Sequence, residues 1–253
     1  EQLFNKLKND DLTHGVKRVV TLDQQFRSHP VLGTFISEQF YAPFNEPLSN
    51  GAIDVDSFSH KLTDYENAVC AWIDVKRNAG VETKSAFSIS RKCEADVIVE
   101  ELRNVLQEDN ALTCGVITFY SGQVRVIWEA MLEAGLAHRS DNDYILNPSI
   151  PWLHTASGSP RVRIGTVDAF QGREFDIVYL STVRSNSGRR GQADYGFLVL
   201  PNRLCVAMSR QRRLLVVIGD SDMFTTEAGR SAVPALAAFY EMTGGSHGIR
   251  RAI

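Results

Sequence analysis

The feature that most constrains the fold is a series of short, apolar, β-branched runs set between stretches of helical periodicity. The runs are Cys114–Thr118, Val162–Thr166, Asp176–Ser181 and Leu214–Gly219. Arg91–Leu106 carries Ala95, Ile98, Val99, Leu102 and Leu106 along one side, the stripe of an amphipathic helix, and Val124–Ala134 and Arg203–Ser209 also read as helices. Parallel strands buried on both faces need apolar sequence throughout and helical crossovers between them, so the pattern predicts an α/β chain. Its central sheet is mostly parallel, with helices on both faces.

The remaining segments are read by the same rules. Glu1–Lys8 resembles the tail of a helix, and Arg18–Leu22 is a short β-rich stretch. Pro30 suits the first turn of a helix that carries Leu32, Phe35, Ile36 and Phe40 and stops before Pro43. Ile53–Phe58 is a candidate strand, Ala68–Val75 a preferred strand because Gly80 follows, and Val233–Thr243 a helix. The whole of 1–253 reads as one domain, with 135–160 a variable insertion or long loop and the Gly-rich 244–253 a flexible tail.

Composition narrows the function classes. With 27 Lys+Arg against 30 Asp+Glu and 43% hydrophobic residues, the chain is too apolar and too evenly charged for disorder, and it has no polybasic tail. A local basic face remains compatible with net charge −3. Cysteines at 70, 93, 114 and 205 are too far apart for a C-x-x-C pair, and the histidines form no H-E-x-x-H, so no metal site is expected; a reducing, cytoplasmic compartment fits. The opening residues do not read as a signal peptide. Apolar runs such as Leu214–Ile218 fall far short of the roughly 20 residues of a membrane span, so no membrane partner is expected.

Three polar clusters interrupt the core pattern beside strand ends, and in open parallel sheets ligands bind outside the carboxyl ends. Gln25-Phe26-Arg27 joins an aromatic ring to a guanidinium, which suits a base and a phosphate. It also suits a core Phe and a surface ion pair. Gly165 to Glu174 holds two glycines, Thr166, Asp168 and Gln171, the makings of a tight loop that meets a ligand backbone-first. Glu174 is a candidate acceptor from a ribose, although Asp168 as a helix cap and Gly172 as a turn explain the same residues. Arg210, Arg212 and Arg213 place three guanidinium groups before an apolar strand, which points to a polyanion. Arg184, Arg189 and Arg190 form a further basic patch, suited to a nucleic-acid backbone or to a solvated loop. There is no G-x-x-x-x-G-K-[ST], and no acidic pair ends an apolar strand to hold Mg²⁺. The chain offers phosphate-facing arginines without a phosphate cradle.

Four ordered blocks carry a family resemblance. Leu22–Pro30 resembles Q-Y-R-M-H-P, Gly115–Val124 resembles G-V-I-T-P-Y-x-x-Q, Thr166–Arg184 resembles T-V-D-x-F-Q-G-x-E-x-D…S-x-V-R, and Gly196–Arg212 resembles G-F-L…R-L-N-V-A-L-T-R-A-R. They are similar to the second RecA-like domain of superfamily 1 helicases, in the branch of the nonsense-mediated-decay helicase and senataxin. The resemblance implies a P-loop-NTPase-type α/β fold lacking the Walker A motif, and an ATP-dependent helicase of which this chain is the second motor domain. It implies that Phe26, with Gln25 beside it, stacks on adenine, that Arg27 and Arg210 reach the γ-phosphate, and that Gln171 and Gly172 line the cleft with Glu174 on the ribose. Thr166, Tyr120 and Gln123 would contact nucleic acid, with Asp168 and Arg184 coupling the two sites. ATP and Mg²⁺ would be held mainly by the first RecA-like domain of the same parent chain, and the other partner would be single-stranded DNA or RNA. Phe119 for Pro, Cys205 for Asn, Met208 for Leu, Ser209 for Thr and Gln211 for Ala depart from the blocks without removing a phosphate-facing arginine. A degenerate helicase serving as a nucleic-acid clamp or scaffold is the alternative, and a helicase-like nuclease or ligase lacks a metal cluster to support it.

Overall fold

A computed structural model describes residues 2–15, 22–51, 54–85, 88–141, 143–187 and 194–253. Six strands pair in parallel: β1 (Cys70–Asp74), β2 (Cys114–Thr118), β3 (Val162–Thr166), β4 (Phe175–Ser181), β5 (Gln211–Gly219) and β6 (Gly248–Ala252). Their order in the sheet is β6-β1-β5-β4-β2-β3, with Val178 of β4 paired to Gly115 on one side and Leu215 on the other. The helices are α1 (Gln2–His14), α2 (Pro30–Ile36), α3 (Lys92–Glu108), α4 (Ser121–Glu133), α5 (Pro201–Met208), α6 (Asp222–Thr225), α7 (Glu227–Ala232) and α8 (Pro234–Met242).

Side-chain alternation along the strands divides the core in two. Val116, Ile177, Val216 and Ile218 pack with Ile98 and Leu102 of α3 and Ile127 of α4 on one face. Ile117, Val178, Leu215 and Val217 pack with Leu32 and Phe35 of α2, Leu204 of α5 and Leu236 of α8 on the other. Both faces are covered, which is why the central strands read as unbroken apolar runs.

One crossover lacks a full helix. Residues 167–174 carry the chain from the carboxyl end of β3 back to the amino end of β4, through a 3₁₀ turn at Val167–Phe170. The path lies close against the sheet because Gly115 makes room for it: a Cβ there would come within 2.9 Å of the Phe175 ring and 3.0 Å of Phe170.

Several expectations are corrected. The tail at 244–253 is not free: Gly248–Ala252 is the edge strand β6, paired with Cys70–Asp74. Arg250 lies over the Tyr240 ring at 3.9 Å and Arg251 pairs with Glu101 at 2.8 Å, so charged residues hold this strand where apolar ones hold the others. Val55–Phe58 is a 3₁₀ turn rather than a strand, started by Asp54, whose side chain accepts from Asp56 N. Ile53 and residues 18–21 lie outside the described residues. Within 135–160, strands Ala137–Ser140 and Asp143–Leu146 form a hairpin, anchored by Tyr144 stacked on Trp128 at 5.8 Å. β5 begins at Gln211 rather than Leu214, so Arg212 and Arg213 belong to the strand.

Candidate functional site

The polar clusters collect at two opposite edges of the sheet. Glu174 and Arg210 stand immediately before β4 and β5, joined by a hydrogen bond from Phe175 N to Arg210 O at 3.0 Å. His29 N donates to Arg212 O at 2.9 Å and pins the segment leading into α2 to the same edge. Arg27 Nε pairs with Glu174 Oε2 at 3.2 Å, and its Nη1 donates to Ser209 O at 3.2 Å. Arg210 Nη2 donates to Ser209 Oγ at 2.7 Å and its Nε to Val206 O at 3.0 Å. Arg27, Glu174 and Arg210 therefore meet around Ser209. They meet at the amino ends of the strands, not the carboxyl ends, because the loops that carry Glu174 and Arg210 are those entering β4 and β5.

Charge at this edge is unbalanced. Burial, and after it the neighbouring Arg27 guanidinium, lowers the pKa of Arg210. Arg27 pairs with Glu174 and Arg210 has no carboxylate in an ion pair among the described residues, so a polyphosphate fits the excess positive charge and removes the repulsion between the two guanidinium groups. Phe26 is 61% exposed, which excludes the core role, and its ring lies over Gly51, where a Cβ would sit 2.0 Å away. Gln171 and Gly172 are exposed in the turn before Glu174, and Gly172 takes φ 76° there.

Two expectations change at this edge. Gln25 shapes the loop rather than facing a ligand: its Oε1 accepts from Arg27 N and Ser28 N at 3.0 Å each, and its Nε2 donates to Asn50 Oδ1 at 2.5 Å. Arg213 is not phosphate-facing, since its guanidinium pairs with Asp176 at 2.9 Å and donates to Ser59 O.

At the carboxyl edge, Thr166 ends β3 half-buried, and Tyr120 follows β2, buried, with its hydroxyl accepting from Phe197 N at 3.3 Å. Gln123 is fully buried and cannot contact nucleic acid as expected. Its Oε1 accepts from Arg91 N at 2.7 Å, and its Nε2 donates to Ser181 Oγ at 3.1 Å. Arg184 is likewise 1% exposed, in ion pairs with Glu82 at 3.2 Å and Asp194 at 2.9 Å, so its expected strand contact is replaced by a scaffold role. The chain turns it inward through Val183, whose φ of 65° is a strained value for a β-branched residue. Arg189 and Arg190 lie outside the described residues. Asp168 pairs with Arg203 at 2.6 Å, tying the 167–174 crossover to α5.

Beneath this edge lies a buried ion pair that the motifs do not include. Arg91 and Glu94 are both fully buried and paired at 3.0 Å; Glu94 Oε2 also accepts from Ser181 Oγ at 2.6 Å and Val183 N at 3.0 Å. Burial pushes the Glu94 carboxyl pKa up, against the pull of Arg91 and these donors. The signal was in the sequence: Arg91 and Glu94 fall on the same helical stripe as Ile98 and Leu102. Ser209, the meeting point of the two arginines, had no such signal, because its role comes from its carbonyl as well as its hydroxyl.

Comparison with known proteins shows the family. Residues 1–222 match the model of a family described as AAA domain. The chain is 50% identical over 176 residues to DNA polymerase alpha-associated DNA helicase A of Saccharomyces cerevisiae, covering 67% of this chain and 22% of that protein. It is 30% identical over 206 residues to the regulator of nonsense transcripts 1 homolog of Neurospora crassa, covering 79% and 16%. An ATP-dependent helicase of Caenorhabditis elegans, C05C10.2, is 27% identical over 242 residues, covering 88% and 13%. The chain thus spans well under a third of the length of these relatives.

Proposed function

The chain belongs to the AAA domain family, as the second RecA-like unit of a superfamily 1 helicase, and from that premise we propose that its two sheet edges serve two ligands. The amino edge closes one wall of an ATP cleft, and the carboxyl edge carries part of a single-strand track. The observation that carries this reading is the convergence of Arg27 and Arg210 on Ser209 beside Glu174.

In this reading Phe26 offers its exposed ring to the adenine, and Glu174 accepts from the ribose when released from Arg27. The two arginines stabilise the charge that develops as the γ-phosphoryl group transfers. ATP supplies that phosphoryl group when bound. It is held, with Mg²⁺, mainly by the first RecA-like domain of the parent chain; among the described residues here no His, Cys, Asp and Glu cluster is placed to hold a metal ion. Thr166 serves the strand, and the short 167–174 crossover joins it to Glu174, so closure at one edge alters the grip at the other. No helix among the described residues is long and apolar enough to cross a membrane.

ATP hydrolysis by the full-length protein, measured with and without single-stranded DNA or RNA, tests the reading. Hydrolysis stimulated by single strands, with binding that weakens as salt rises, is the expected result. Salt-sensitive strand binding without hydrolysis would instead favour a clamp that has lost its motor.

A further inference from the structure

We propose that a pocket at the carboxyl edge, between Phe119, Tyr120 and Phe197, takes one unstacked nucleobase of the single strand, with Phe197 as its stacking platform. The inference rests on the reading of this edge as the strand track. The pocket encloses about 290 Å³, with Lys84, Ser88 and Ser121 on its polar side. That is the lower end of the range of small-ligand sites, suited to a single flat ring rather than a larger ligand.

Phe197 is 47% exposed, whereas Phe119 and Tyr120 are buried. Its ring is nonetheless held from two sides. Tyr120 lies 5.6 Å away, and the Arg203 guanidinium lies 5.3 Å from the ring centroid and 5.9 Å from that of Phe119. Arg203 is in turn fixed by Asp168 at 2.6 Å. An exposed ring braced in this way has already lost most of the rotamer freedom that stacking would cost it. Base stacking on an aromatic face tolerates any sequence, which is what a track that moves along a strand requires.

The polar side matches the rest of a nucleotide. Ser88 Oγ accepts from Gly122 N at 2.8 Å and lies 3.4 Å from Ser121 Oγ, so the two hydroxyls present a fixed polar rim to a base edge or sugar. Lys84, 61% exposed, pairs with Glu82 Oε1 at 3.6 Å, so the cation that this rim presents to an adjoining phosphate is already partly balanced by a carboxylate. Phe119, part of the wall, stands where the helicase block has Pro, whereas Tyr120 and Phe197 match their blocks, so the present chain adds one aromatic wall to two shared aromatic residues. Through Asp168 it is also linked to the crossover that ends at Glu174.

The test compares the full-length wild-type protein with Phe197→Ala and Phe197→Tyr, binding a labelled oligothymidylate and an abasic strand of equal length. The expected result is about tenfold weaker binding of the oligothymidylate by Phe197→Ala. Binding of the abasic strand and the dependence of log Kd on log salt stay unchanged, and Phe197→Tyr restores affinity. Equal affinity of Phe197→Ala and wild type for the oligothymidylate overturns the pocket while leaving the track in place, as does an equal loss on both strands. Absence of salt-sensitive binding to either strand by the wild type overturns the track and the pocket together.

Discussion

The two edges of this sheet use arginine in opposite ways. At the amino edge, Arg27 and Arg210 are partly open to solvent, only Arg27 pairs with a carboxylate, and both are held by Ser209. At the carboxyl edge, Arg91 and Arg184 are buried, and each faces carboxylates with which it pairs. A guanidinium that is buried and paired is part of the scaffold. One left exposed with surplus positive charge is a site waiting for an anion. Motif position alone does not separate them, since Arg27, Arg184 and Arg210 all lie in matched blocks.

The comparison can be broken or sharpened at four points. The largest effect is expected inside the scaffold: Arg91→Ala strands a buried Glu94 and lowers unfolding free energy by about 3–5 kcal/mol, read by urea denaturation. A loss below about 1 kcal/mol would mean that the buried pair does not hold the carboxyl edge. Arg210→Ala is expected to cut ATP turnover in the full-length protein by roughly 10²-fold or more while sparing most strand affinity. Near-normal turnover would remove Arg210 from the cleft.

Glu174→Ala is a milder change. Nucleotide affinity falls several-fold, and stability shifts by less than about 1 kcal/mol because its ion pair with Arg27 is exposed. An unchanged nucleotide dissociation constant takes Glu174 out of the site. The smallest effect is on pH. Burial, and after it His247, holds His29 below its ordinary value of 6.5, and burial does the same to His60. Both therefore favour the folded state while neutral. That contribution is complete above pH 6.5 and is lost as pH falls through the lower folded-state values. His29 Nδ1 accepts from Val31 N at the start of α2, so protonation there loosens the amino edge. Melting temperature should fall as pH drops below 6.5, and His29→Asn, which keeps an acceptor without the titration, should reduce the slope. An identical slope in the variant would assign the effect elsewhere.

Much of the fold was legible because burial on both faces forces apolar runs, and those runs became β1 to β5. β6 was hidden, since an edge strand needs no such run: Ile249-Arg250-Arg251 is stabilised by cation–π contact with Tyr240 of the preceding helix and by Glu101 of the distant α3. The same reason hid the inward turn of Gln123 and Arg184. Their residue types suit a ligand, and only the packing around them shows that Gln123 is hydrogen-bonded to Arg91 and that the Arg184 charge is paired with Glu82 and Asp194. Arg27, Phe26, Glu174 and Arg210 could be named from motifs. Their shared edge could not, because it depends on a crossover without a helix, whose course is set by Gly115 and Phe170.

The division of labour between the edges is tested most directly by hydrogen–deuterium exchange on the full-length protein, with a non-hydrolysable ATP analogue and with a single strand, each added alone. The expected result is that nucleotide slows exchange around residues 25–29, 171–174 and 206–212, and the strand around 119–122, 166 and 195–198. Protection of the carboxyl-edge segments by nucleotide and of the arginine segments by the strand would contradict the assignment.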